Sequence, residues 1–202
     1  MSIEIKVAAV EELFRKLDLE INTLQTETNL HCNSGCGKCC TKLDIEASPL
    51  EFLPWAFHIF LNGDAEKVLA ELEIKTSSIC HIYNPLTLLD KVNGSCSNYP
   101  YRGLICRLFG YAATKDKYGQ LRLATCKIIK TEQVDNFKNA SNLIQNGLPV
   151  PIFTDYYMNL FQIDYHLGNI ILPINKALKY AIEEVLQYYA YRPLPNGFKN
   201  IA

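Results

Sequence analysis

Four of the chain's eight cysteines crowd into nine positions, in the run His31-Cys32-Asn33-Ser34-Gly35-Cys36-Gly37-Lys38-Cys39-Cys40. The spacing C-x3-C-G-x-C-C is that of a metal-binding turn. Thiols this close repel once ionised, and glycines at 35 and 37 let the backbone fold back so that several sulfurs converge on one point. A soft cation or an iron–sulfur cluster is what offsets the charge.

The remaining cysteines, Cys80, Cys96, Cys106 and Cys126, lie in the middle third, and none follows Cys126. Eight in 202 residues is well below the roughly 8 to 10% of a disulfide scaffold. Met1-Ser2-Ile3-Glu4-Ile5-Lys6-Val7 has acid residues close by and no uninterrupted apolar run, which reads against a secretory signal. The expected compartment is the cytoplasm, where clustered cysteines bind metal more often than they pair.

The length points to a single domain over residues 1–202, large enough to bury a core without a metal as its sole staple. Lysine plus arginine number 20 against 21 for aspartate plus glutamate, so no overall charge draws the chain to nucleic acid or to a membrane surface. Apolar stretches such as Ile170 to Ile174 fall far short of the roughly 20 residues that cross a bilayer.

Val7, Val10, Phe14, Leu17, Ile21 and Leu24 step by three and four, which predicts an amphipathic helix leading into the cysteine turn. Ser48-Pro49-Leu50-Glu51 is a capping box with proline at the first helical position, opening a helix towards Gly63. A third helix is expected after Asp64, to about Ile74. From Thr76 to Arg107 the pattern breaks up around Pro85, Asn93-Gly94, Pro100 and Gly103, predicting a long ordered loop for which metal ligation is the natural restraint. Arg107 to Thr114 and Gln120 to Cys126 read as the arms of a hairpin. Beyond it, Phe153, Tyr157, Phe161 and Tyr165 form one stripe and Ile174, Leu178, Ala181, Ile182, Val185 and Tyr189 another, with an irregular tail after Arg192. The expected fold is mainly α (α+β): one helical domain with a small β-hairpin, a cysteine-rich metal-binding region over 31–126 and a helical C-terminal part over 130–191.

Cys32-x3-Cys36-Gly37-x-Cys39-Cys40, then Cys80, then Cys96-x2-Tyr99-x2-Arg102-x3-Cys106-Arg107-x-Phe109, resembles the YkgJ-type cysteine-cluster family, described as zinc- or iron-chelating. The resemblance runs from about 31 to 126, and residues 43–51 sit where that family places a short strand and a helix start. The chain departs at Gly103 and Gly110, where the family usually carries proline. The resemblance implies metal binding and says little about a reaction. Flagellin lysine-N-methylases carry a similar cluster, which makes methyl transfer to protein lysine an analogy at the level of fold alone; no glycine-rich S-adenosylmethionine loop is present.

Candidate metal ligands are Cys32, Cys36, Cys39, Cys40, Cys80, Cys96, Cys106 and Cys126. A structural zinc site commonly uses two C-x2-C turns, and Cys36-x2-Cys39 is the one such pair here. A 4Fe-4S cluster accepts irregular spacing with a distant last ligand, which favours iron–sulfur slightly over zinc. Eight cysteines can also fill two four-ligand sites. Cys32-x3-Cys36-x2-Cys39 matches the radical S-adenosylmethionine spacing too, but Lys38 stands where an aromatic is usual, and the alternating strands and helices of that barrel are missing. The plain alternative for Cys80 and Cys126 is an inert core thiol. Arg102 and Arg107 can donate to cluster sulfurs or simply pin loops, and His31 and His81 can replace a thiolate on zinc or stand exposed in turns. His58 and His166 have no evident partner in the sequence. The aromatic stripe can line a groove, though core packing is the commoner use of helical spacing. No Ser-His-Asp set or G-x4-G-K loop can be assembled. Three readings stay open: a metal- or cluster-binding protein with a structural or redox centre, a protein-modifying enzyme, and a zinc-stabilised interaction module.

Overall fold

The computed structural model describes residues 1–86 and 94–199; Asn93, read above as a turn residue, lies outside them. In chain order the elements are helix α1 (Ile3–Thr28), strand β1 (Glu46–Ala47), a 3-10 turn (Pro49–Phe52), helices α2 (Leu53–Leu61) and α3 (Ala65–Ile74), and strands β2 (Tyr83–Pro85) and β3 (Gly94–Cys96). A second 3-10 turn (Tyr99–Tyr101), helix α4 (Leu104–Leu108) and strands β4 (Ala113–Lys115) and β5 (Leu121–Leu123) follow. Helices α5 (Lys127–Glu132), α6 (Val134–Gln145), α7 (Phe153–Ile163) and α8 (Tyr165–Asn169), strand β6 (Leu172–Pro173) and helix α9 (Ile174–Tyr189) complete the chain. The fold is mainly helical with short two-stranded sheets.

Contacts divide the chain into two compact units. The first comprises residues 1–11, 35–103 and 160–202. Its centre is the packing of α2 and the 3-10 turn before it against α9, with Phe52, Leu53, Trp55 and Ala56 on one side and the stripe Leu178, Ala181, Ile182 and Val185 on the other, all buried. The Phe60 and Tyr189 rings stack at 4.9 Å between centroids. Strands β1 and β6 pair antiparallel, with Ala47 opposite Leu172, so the segment after the cysteine turn is tied to the start of α9. Of the capping box, the Glu51 carboxylate accepts the Ser48 N–H at 2.9 Å. The helix it was expected to open begins as a 3-10 turn instead. Pro54 has no N–H for the Leu50 carbonyl, and the Leu53 N–H serves that oxygen in the tighter pattern.

The second unit comprises residues 12–34 and 104–159. Here Phe14, Leu17, Ile21 and Leu24 of α1 are buried, as are Leu104, Leu108, Ile129, Ala140 and Ile144. The β4–β5 hairpin pairs Ala113 with Leu123, and its turn is stitched by Asp116, whose carboxylate accepts the Tyr118 and Gln120 N–H groups at 2.9 and 3.0 Å. Its first arm is shorter than expected. Leu104 and Leu108, four apart and both fully buried, wind 104–108 into α4, and Gly110, at φ 103°, ends that turn before the strand starts. The stripe expected at 153, 157, 161 and 165 is also displaced: α7 buries Tyr156 and Leu160, while Tyr165 is 73% exposed. Asp164 breaks the helix and caps α8, accepting the Leu167 N–H at 2.9 Å, so Tyr165 starts a new helix with its own phase. No helix among the described residues is long and apolar enough to cross a membrane.

Candidate metal centre

In the first unit the cysteine turn is shaped by Gly35 and Gly37, both left-handed at φ 69° and 57°. It closes on itself through the Cys40 N–H, which the Gly37 carbonyl accepts at 2.9 Å. The turn lies directly on the β2–β3 hairpin. The Gly94 N–H donates to the Gly35 carbonyl at 3.0 Å, and a Cβ at Gly37 would stand 2.8 Å from both the Gly94 carbonyl oxygen and the Tyr83 ring. Gly94 is equally cramped, its hypothetical Cβ 2.4 Å from the Asn84 carbonyl oxygen. Gly37 therefore lets the turn and the hairpin meet where a side chain would hold them apart, and Gly94 leaves room for the facing β2 strand within the hairpin.

Around that contact lie Cys36, Cys39 and Cys40 on the turn, Cys80 just before β2 and Cys96 at the end of β3. The Cys80 N–H donates to the Cys40 carbonyl at 3.4 Å, and Cys96 sits opposite Tyr83 in the hairpin register. The thiols differ sharply in character. A hydrogen bond from the Cys40 side chain, helped by nearby backbone N–H groups and the charge of Arg102, overcomes partial burial and draws Cys39 down to about 6. Burial, with Cys96 adding to it, pushes Cys80 up to about 11.

The other three cysteines belong to the second unit. Cys32 is exposed, and its N–H donates to the Tyr111 hydroxyl at 2.6 Å. Cys106 lies half-buried within α4. Cys126 caps α5, its sulfur accepting the Ile129 N–H at 3.4 Å. None of the eight cysteines is paired in a disulfide.

Among the described residues, no three His, Cys, Asp or Glu side chains are grouped closely enough to hold an ion. The chemistry of the donors nevertheless suits a thiophilic metal. Drawing three or four thiolates to one point is opposed by their mutual repulsion until a cation is present. The first unit holds five cysteines, against the four ligands that zinc or a cubane cluster takes.

Charged and aromatic neighbours resolve several of the sequence alternatives. The Arg107 guanidinium, 5% exposed, pairs with Asp18 and lies over the Phe14 ring at 4.5 Å, which is a pin on α1. Arg102 donates to the Tyr99 hydroxyl at 2.6 Å and covers the Tyr99 ring, while its charge reaches Cys39. His81 stands 3.5 Å from the Glu71 carboxylate, and burial lowers its affinity for a proton. His58 stacks on Tyr101 at 4.4 Å, with its ring nitrogens 3.0 Å from the Tyr101 hydroxyl and 3.1 Å from the Asn62 amide.

Sequence reasoning missed the carboxamides that hold the cysteine-bearing segments. Gln133 accepts the His31 N–H at 3.1 Å and donates to the His31 carbonyl, while Asn136 donates to the Asn29 carbonyl at 2.7 Å. Asn175 accepts the His81 N–H at 2.8 Å and donates to the carbonyls of Ser77 and Ile79. The available signal was position: Gln133 falls at a helix break, and Asn175 follows Pro173 at a helix start.

Residues 31–127 match the family model CxxCxxCC, described as "Putative zinc- or iron-chelating domain". The match agrees with the cysteine-cluster resemblance read over 31–126, and it supports metal binding in general. No curated protein and no solved structure matches the chain.

Proposed function

We propose that the CxxCxxCC stretch of this chain holds a cysteine-ligated metal centre, a 4Fe-4S cluster in preference to zinc, in a structural or redox role. The observation that supports this reading is the seating of the glycine turn, which carries Cys36, Cys39 and Cys40, on the β2–β3 hairpin, with the Cys80 N–H donating to the Cys40 carbonyl and Cys96 ending β3. A turn built so that no Cβ fits between its backbone and the hairpin is a costly way to arrange inert thiols. The preference for iron rests on ligand spacing: the run is irregular, with distant partners at Cys80 and Cys96, as cubane clusters accept. Cys36-x2-Cys39 supplies one zinc-type turn, and a second of that kind is missing. Cys32, Cys106 and Cys126 are the proposed thiolate donors of the second unit. The reducing cytoplasm is the compartment in which such thiols stay available to metal.

A panel of single Cys→Ser variants, purified without air, tests the reading. Cys36→Ser, Cys39→Ser and Cys96→Ser are expected to lose most of the bound metal while the apo protein keeps its helical circular-dichroism spectrum. Full metal content in all three would contradict the proposed centre.

A further inference from the structure

We propose that Gln133 and Asn175, both beyond the matched stretch, are positioning residues for proposed thiolate ligands, Gln133 for Cys32 in the second unit and Asn175 for Cys80 in the first. Each holds the backbone of the residue next to a candidate ligand. The proposal rests on Cys32 and Cys80 being ligands, as the function proposed above has it.

Gln133 sits between α5 and α6. Its amide grips both polar groups of the His31 backbone, the carbonyl oxygen accepting from N–H at 3.1 Å and the NH2 group donating to the C=O. His31 precedes Cys32. The neighbours reinforce this hold: Glu132 accepts from the Asn33 amide at 2.6 Å, and Tyr111 accepts the Cys32 N–H at 2.6 Å. In the first unit, Asn175 in the first turn of α9 does the corresponding work. It accepts the His81 N–H at 2.8 Å and donates to Ser77 and Ile79 at 3.0 and 2.9 Å. Cys80 is thereby bracketed on both sides by groups bonded to one side chain.

A single carboxamide is suited to this task because it offers an acceptor and two donors in one rigid plane. It replaces the strand partner that an irregular segment lacks. Residues 29–33 and 76–81 contain no helix or strand, so these bonds fix where Cys32 and Cys80 start from. Outer partners that orient metal ligands typically contribute about 10–100-fold in metal affinity.

The test uses the full chain stripped of metal and titrated with cobalt(II), whose thiolate charge-transfer bands report ligand geometry. Gln133→Ala and Asn175→Ala are each expected to weaken cobalt binding about 10-fold or more and to alter the bands, with the circular-dichroism spectrum of the apo chain unchanged. Gln133→Glu and Asn175→Asp retain the oxygen that accepts the backbone N–H and lose the donors. They are expected to bind with intermediate affinity, and they serve as the decisive pair if the alanine variants do not fold. Cys32→Ala and Cys80→Ala are the controls for the underlying reading. Weakened binding in the cysteine variants with wild-type affinity and bands in the carboxamide variants overturns the positioning role alone. Wild-type binding in both cysteine variants overturns the ligand assignment and the inference with it.

Discussion

At the scale of single residues, neighbouring thiols in one sequence acquire opposite chemistry from their surroundings. Cys39, drawn down to about 6 by the Cys40 hydrogen bond, is mostly thiolate at pH 7. Cys80, pushed up to about 11 by burial, is almost wholly protonated there. The thiolate is the nucleophile and the metal ligand, so in the apo chain Cys39 is expected to react with iodoacetamide well ahead of Cys80. Its rate should rise through about pH 6, and bound metal should protect it. Peptide mapping by mass spectrometry after brief alkylation reads this directly; equal labelling of the two at pH 7 would contradict the assignment. For metal loading, the contrast makes Cys39 the ready donor and Cys80 one that must give up a proton as the cation arrives. Both cysteines were plain in the sequence. Their difference was not, because it depends on a hydrogen bond and on burial that spacing does not encode.

Between elements, the decisive contact joins the cysteine turn to the β2–β3 hairpin. Gly37→Ala would set a side chain in the left-handed region, at a cost of about 1–2 kcal/mol, and would press its Cβ against the Gly94 carbonyl and Tyr83. The expected result is a lower midpoint of denaturant unfolding for the apo chain, together with weaker metal binding. An unchanged midpoint and affinity would show that the turn does not depend on that seat. Here the sequence was partly legible. Gly35 and Gly37 announce a tight turn, and the α1 stripe, α3 and the α9 stripe announce themselves by periodicity, since in each an amphipathic face meets one buried surface. The partner of the turn was hidden, because β2 and β3 are three residues each and pair across a segment with no alternating pattern. The 3-10 turn at 49–52 and the short helix α4 escaped for similar local reasons: a proline that withholds one donor, and two leucines too close together to set a period.

For the whole molecule, the thiols and the amides that hold their backbone come from different parts of the sequence. The matched stretch ends at 127, yet Gln133, between α5 and α6, and Asn175, in α9, which hold cysteine-bearing segments in each unit, come from the chain that follows. A sequence pattern finds thiols by their spacing; it does not find the amides that hold their backbone, which are common residues at unremarkable positions. The mainly helical class was legible from the stripes alone, while the division of the contacts into two units depends on which stripes meet. The most direct test of the central claim is metal and acid-labile sulfide analysis, with a visible absorption spectrum, on the chain purified without air. A brown protein with a broad band, containing iron and sulfide in about equal amounts, is the predicted result. Stoichiometric zinc without colour would contradict the cluster and leave a structural thiolate site, and a chain carrying no metal at all would contradict the account at its root.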